Sequence, residues 1–156
     1  MRTKSLLTAV GCGLALLVAG CGEGSRHLSA PEYAREVSAV CRQGNRAVAR
    51  IEVPPLTHNR DASRAVARIV AVQRAAIDEL RAARPPQSLA VTVQKWIALL
   101  DQGADELDVM SMRLHSGRTS EAIDYGAKAT TLLDRAQEVV APLRVTSCRG
   151  LLLPTV

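Results

Sequence analysis

Phenylalanine is absent from the 156 residues, and Tyr33, Trp96 and Tyr125 are the only aromatic side chains. A core without large rings must be assembled from Ala, Val and Leu, which requires many small contacts between closely spaced elements. So few rings also argue against a nucleic-acid surface, where bases stack on aromatic side chains. Metal-binding patterns are scarce. The three histidines, His27, His58 and His115, occur in no Glu-x-x-His motif, which disfavours a di-iron carboxylate bundle. Cys-x-x-Cys is missing, which removes a redox pair and covalent haem, and no glycine fingerprint suits a nucleotide. Ser, His and Asp are present, but without the strand–turn–helix setting that makes them a catalytic group. Sustained period-two alternation is missing too, so no strands are expected. These absences indicate a non-enzyme with no cofactor and no bound metal.

The N-terminus is the most informative stretch. Arg2 and Lys4 precede a run of apolar and small residues from Ser5 to Gly20. Sixteen residues fall short of the ~20 that span a bilayer but suit the apolar region of a signal peptide. A retained anchor helix is the alternative, although no basic stop-transfer cluster follows and Glu23 is the next charge. The run ends "VAGC", and these four residues resemble the lipobox of bacterial lipoproteins. The resemblance implies cleavage after Gly20, diacylglyceryl modification of Cys21 and anchoring on the extracytoplasmic face of the cell membrane. Residues 1–20 are then a signal peptide, 21–29 a lipidated linker, and 30–156 the folded part.

Of four cysteines, Cys12 would leave with the signal peptide and Cys21 would carry lipid. Cys41 and Cys148 remain, in an oxidising compartment, and a disulfide between them is the economical assignment. A two-cysteine metal site lacks a further ligand at suitable spacing.

Four segments repeat with helical period between breakers. The first follows "LSAPE", where Ser29 and Glu32 have capping-box spacing and Pro31 sits in the first turn. Its seam is Tyr33, Val37, Val40, Gly44, Ala47 and Ile51, ending at Pro54-Pro55. The second starts near Asn59 or Asp61, with Ala62, Val66, Ile69, Gln73, Ala76, Leu80 and Ala83, widened by Val70 and Ile77, and "RPPQS" stops it. The third runs Leu89, Val93, Trp96, Leu100, Gly103, Leu107, Met110 and Leu114. "HSGRTSE" then provides a Gly and a cap at Thr119 or Ser120 before Ala122, Tyr125, Ala129, Leu132, Ala136, Val139 and Leu143. Four helices of similar length on short turns predict an all-α, up-down-up-down four-helix bundle closed by one disulfide. The tail "RVTSCRG" must fold back along the first helix for Cys148 to reach Cys41, with Leu151, Leu152 and Leu153 covering the side of the bundle.

The "VSAVCRQGN" segment with Cys41 and Asn45, the Pro-containing turn, the second break at Leu80 to Pro86 and the closing Cys148 together resemble small exported helical proteins of actinobacteria. The resemblance implies a fold and a disulfide rather than an activity.

Charge is unevenly distributed. Residues 21–84 hold 11 basic and 7 acidic groups, residues 85–156 hold 7 and 8. Arg42, Arg46 and Arg50 step by four along the first helix and Arg60, Arg64 and Arg68 along the second, while Asp101, Asp105 and Asp108 share a face of the third. Such stripes suit ordinary solvated faces; the functional reading is a patch for an anionic lipid surface, a cell-wall polymer or an envelope protein. The expected role is thus an accessory or interaction module at the cell envelope. The alternative is a carrier of a small apolar molecule between helices, favoured by the small side chains at Gly44, Gly103, Ala129 and Ala136. A sealed interior would remove the carrier reading, and a cavity of several hundred Å³ would support it. The pair Met112 and His115 is the nearest approach to a metal site, two ligands only.

Overall fold

In the computed structural model, residues 28–145, 147 and 148 are described. The proposed signal peptide, Cys21, His27 and Leu151 to Leu153 lie outside the described residues. Four α-helices follow one another: α1 (Ala30–Val48), α2 (Asn59–Ala82), α3 (Ala90–His115) and α4 (Thr119–Val140), with single 3₁₀ turns at Gln87–Leu89 and Ala141–Leu143. No strand occurs among the described residues. The all-helical class and the helical bundle expected from the sequence are present.

Local chemistry sets most boundaries. At α1 the Ser29 N–H donates to the Glu32 carboxylate at 2.9 Å, and the Ser29 hydroxyl donates to the same oxygen. Gly117, at φ 74°, takes the left-handed position after α3; its N–H donates to the Leu114 carbonyl, and that of Arg118 to the Arg113 carbonyl at 2.8 Å. Thr119 does not cap α4. It is the first helical residue, behind Arg118, and its hydroxyl donates instead to the Asn59 side-chain oxygen at 3.0 Å, tying the starts of α2 and α4. Ser120 is exposed.

Successive helices pack on one another. Between α2 and α3, Ser63 and Ser111 are buried and exchange hydrogen bonds, each hydroxyl donating to the other's backbone carbonyl at 2.9 and 3.0 Å. Arg81 meets Asp101 at the opposite end of that pair, so the two helices run antiparallel. Along α3 and α4, Gly103 faces Leu133 and Met110 faces Gly126, again antiparallel. A Cβ placed on Gly103 would stand 2.4 Å from Leu133 Cδ2, and Leu133 is itself buried. Gly103→Ala is therefore expected to destabilise by about 1 kcal/mol net in urea unfolding: overpacking costs about 1–3, and the better helix former returns about 1.

The disulfide expected from the cysteine count is present: Cys41 and Cys148 are bonded with Cα atoms 4.9 Å apart. The tail reverses at Arg144, in the left-handed region at φ 54°, after which Val145 is buried. Asn45 of α1 donates its side-chain N–H to the Ser147 carbonyl at 2.8 Å. Cys41 and Asn45, one turn apart, thus both hold the folded-back tail.

The main apolar cluster, which includes Tyr33, Val37, Cys41, Leu80, Trp96, Leu100, Leu133 and Val145, draws on all four helices. Tyr33 is buried there, and its hydroxyl has no hydrogen-bond partner among the described residues. Burial, with the nearby Glu36 charge adding to it, pushes the phenol up to about 12 from its usual 10. The folded state then holds this proton more tightly than the unfolded chain does. Stability from this group is complete below pH 10 and is lost as pH rises toward 12. Urea unfolding of wild type and Tyr33→Phe between pH 9 and 12 should show the wild type losing stability faster across that window. At pH 7 the variant should be no less stable, having lost an unpaired buried hydroxyl.

Candidate functional site: an apolar cavity beneath the first connection

The sequence reading carries the first helical seam to Ile51; α1 in fact ends at Val48. Its last turn tightens, with the Arg50 N–H donating to the Ala47 carbonyl and that of Ile51 to the Val48 carbonyl at 2.9 Å. Pro54 already disfavours helix at Val53, and the chain leaves α1 early and extended. The consequence is geometric. At 1.5 Å per residue, α1 with 19 residues is about 28 Å long, and α3 with 26 about 39 Å. Where α1 stops, the groove between the longer helices is roofed by Val53, Pro54, Pro55 and Leu56 instead of by a helix.

Apolar packing divides there. One cluster joins Ala62, Val66, Val70, Leu107, Leu114, Ala122 and Ala129, with Leu56 and Met110 against it. Another joins Val48, Ile51, Ala65 and Ile69, with Val53 and Val72 against it. Between them lies a cavity of about 650 Å³, open to solvent, lined by Val53 to Leu56 of the connection, Val66 and Ile69 of α2, Leu107 and Met110 of α3, and Gly126 and Thr130 of α4. Its volume lies within the roughly 300–1,000 Å³ of small-molecule sites.

The lining is short of polar groups. Among the described residues Thr130 carries the only hydroxyl of the lining, and it donates to the Gly126 carbonyl at 3.0 Å within α4. Pro54 and Pro55 have no N–H, and the Pro55 carbonyl accepts from the His58 N–H at 2.9 Å. Gly126 keeps the α4 wall low: a Cβ there would lie 3.2 Å from the Met110 sulfur. Such a surface can exclude water and hold hydrocarbon, and offers nothing for acid–base or nucleophilic chemistry.

The small residues expected to leave room between helices do not line this space. Gly44, Gly103, Ala129 and Ala136 are all buried, and at Gly103 the vacancy is filled by Leu133. Gly126, Met110 and the Pro54-Pro55 connection do line it. Met112 is 57% exposed and His115 is exposed, and among the described residues no group of three or more His, Cys, Asp or Glu could hold a metal.

All six arginines of the expected patch are exposed. Arg64 pairs with Asp61 in its own helix. Arg42, Arg46, Arg50, Arg60 and Arg68 form no ion pair among the described residues. The aspartates of α3 are met by other arginines of α2: Arg74 lies 3.0 Å from Asp105 and 3.4 Å from Asp108, and Arg81 lies 2.7 Å from Asp101. The hydrogen bond from Arg81 to Asp101 raises the guanidinium pKa further. These half-exposed pairs fix register more than they stabilise. They divide the outer surface, so that the α2–α3 seam is internally compensated, whereas the patch arginines of α1, with Arg60 and Arg68 of α2, form no ion pair among the described residues.

No helix among the described residues is long and apolar enough to cross a membrane. In comparisons with known proteins, no family model, curated protein or solved structure matches this chain.

Proposed function

We propose that this chain is a lipid-anchored extracytoplasmic protein at the cell envelope, non-catalytic, whose folded part is an up-down-up-down four-helix bundle that holds a small apolar molecule. The address rests on the basic start, the Ser5–Gly20 run and "VAGC" ahead of Cys21. The carrier role rests on one observation, the cavity of about 650 Å³ between Val53–Leu56 and the inner faces of α2, α3 and α4. Of the two roles drawn from the sequence, the cavity favours ligand carriage over a purely accessory part. The second reading, contact with an envelope protein or anionic polymer, keeps the support of the five arginines that form no ion pair among the described residues; it expects binding that weakens with salt.

Gly126→Leu tests the carrier role. The added side chain enters the cavity beside Met110, and replacing a helical glycine gains about 1 kcal/mol of helix propensity. The full chain in phosphatidylcholine nanodiscs is expected to bind the neutral probe N-phenyl-1-naphthylamine at one site above the background of empty nanodiscs. The variant is expected to bind it at least tenfold more weakly with an undiminished melting temperature. Equal binding by the two proteins, or no saturable site in the wild type, contradicts the role.

A further inference from the structure

The ligand class follows from which groups the cavity withholds and which stand at its roof. We infer that the cavity takes the hydrocarbon chain of a single-chain anionic amphiphile and leaves its headgroup outside, beside Arg50 and Arg60. The inference rests on the carrier reading above and narrows it.

Three observations carry it. First, the lining offers a buried ligand few side-chain polar groups: among the described residues its one hydroxyl, Thr130, donates to the Gly126 carbonyl, and the two roof prolines have no N–H. A ligand with polar atoms spread over its length would bury them unpaired, at a cost of several-fold or more in affinity for each. A molecule with one polar end and an otherwise unbroken aliphatic body avoids this. Second, the walls are aliphatic side chains with Met110 among them, and no aromatic side chain lines the site. Thioether and branched aliphatic groups adapt to a flexible chain and admit the small two-ring probe, whereas a flat ligand of three or more fused rings gains most from aromatic faces. At about 30 Å³ per methylene-sized unit, incomplete filling of the cavity accommodates on the order of 15 carbons.

Third, the roof is bracketed by cations. Arg50 lies three residues before Val53 and Arg60 four residues after Leu56, so each backbone is within about 10–14 Å of the lining along the chain, and a guanidinium adds its own reach. Both are exposed and neither forms an ion pair among the described residues. Between them Glu52 is the one carboxylate, and His58 is exposed at the start of α2. Asp61, the nearest acid of α2, is engaged by Arg64. A headgroup emerging at the roof therefore has two guanidinium groups set against the single Glu52 carboxylate, a balance that favours carboxylate or phosphate over a neutral or cationic end.

The test displaces N-phenyl-1-naphthylamine from the full chain in phosphatidylcholine nanodiscs with amphiphiles of one saturated chain length carrying a carboxylate, a hydroxyl or a trimethylammonium head. The carboxylate is expected to displace the probe at roughly tenfold lower concentration than the alcohol, with the ammonium weakest. Arg50→Gln with Arg60→Gln is expected to bring the carboxylate to the level of the alcohol without changing probe affinity. An alcohol as effective as the carboxylate, or a double variant that behaves as wild type, overturns the headgroup assignment and leaves the carrier role standing. A competitor of three or more fused rings that outperforms every chain overturns the chain assignment. If the probe itself finds no saturable site, the carrier role has failed, and this inference fails with it.

Discussion

Replacing Cys41 and Cys148 together by alanine is expected to lower folding stability by about 4–5 kcal/mol, read as a fall in the urea midpoint at unchanged fluorescence of the folded state. The bridge joins residues 107 apart in sequence, so α2, α3 and α4 all lie inside the loop it closes. In the chain-entropy model a loop near 100 residues contributes about 4.7 kcal/mol by restricting the unfolded chain. Native packing adds to this. Both cysteines are buried, and the bond holds down a tail whose other attachments, among the described residues, include Val145 and the hydrogen bond from Asn45 to Ser147. A small-residue core in a domain of this size leaves about 5–15 kcal/mol in total, so the loss is a large fraction of what exists. A fall below about 1 kcal/mol would mean that the tail contributes little and that the unfolded chain is already compact.

Trp96→Ala is expected to cost about 3–5 kcal/mol, measured by circular dichroism because the variant has no tryptophan left. Trp96 is 1% exposed and is the largest fully buried side chain. It belongs to the cluster in which Tyr33 and Val37 of α1, Leu80 of α2, Leu100 of α3 and Leu133 of α4 meet. No phenylalanine exists elsewhere to compensate, and alanines already occupy many neighbouring positions, including Ala76, Ala104 and Ala136. Short side chains cannot extend into the space an indole leaves, so the hole persists. The cost should exceed that of an exposed substitution such as Val91→Ala, where 80% of the side chain is in solvent and the change should stay within about 0.5 kcal/mol.

How far the sequence is legible differs between helices. Along α2 every seam residue expected, Ala62 to Ala83 with Val70 and Ile77, is buried. That helix packs against both α1 and α3, so a broad stripe is decided by its own composition. On α1 and α4 the expected seam slips by one residue in places: Cys41 and Val48 are buried where Val40 and Ala47 are expected, and Leu133 and Val140 where Leu132 and Val139 are. Steps of four and of three both keep residues on one face, and which is inward depends on the partner helix rather than on the local pattern. Ser63 and Ser111 escape notice for a similar reason: as polar residues they carry no apolar signal, yet each satisfies the other across a close helix contact.

The cavity is less legible still. Its lining comes from the α1–α2 connection and three helices, and empty space has no residue signature. Pro54-Pro55 gives the one sequence clue, a stop placed before α1 can match its neighbours in length. The arginine stripes are visible in the sequence as spacing. Only interhelical register separates Arg74 and Arg81, which meet the α3 aspartates, from Arg50 and Arg60, which stand free of carboxylates among the described residues.

A ligand site where α1 ends short requires a standing apolar space, and xenon reports on that space without presupposing a ligand. A crystal pressurised with xenon is expected to show bound xenon among Val66, Ile69, Leu107 and Met110, since xenon partitions into spaces lined by aliphatic side chains. It should be lost in Gly126→Leu. Density showing Val53–Leu56 collapsed onto Leu107 and Met110, with no xenon between them, would contradict the account.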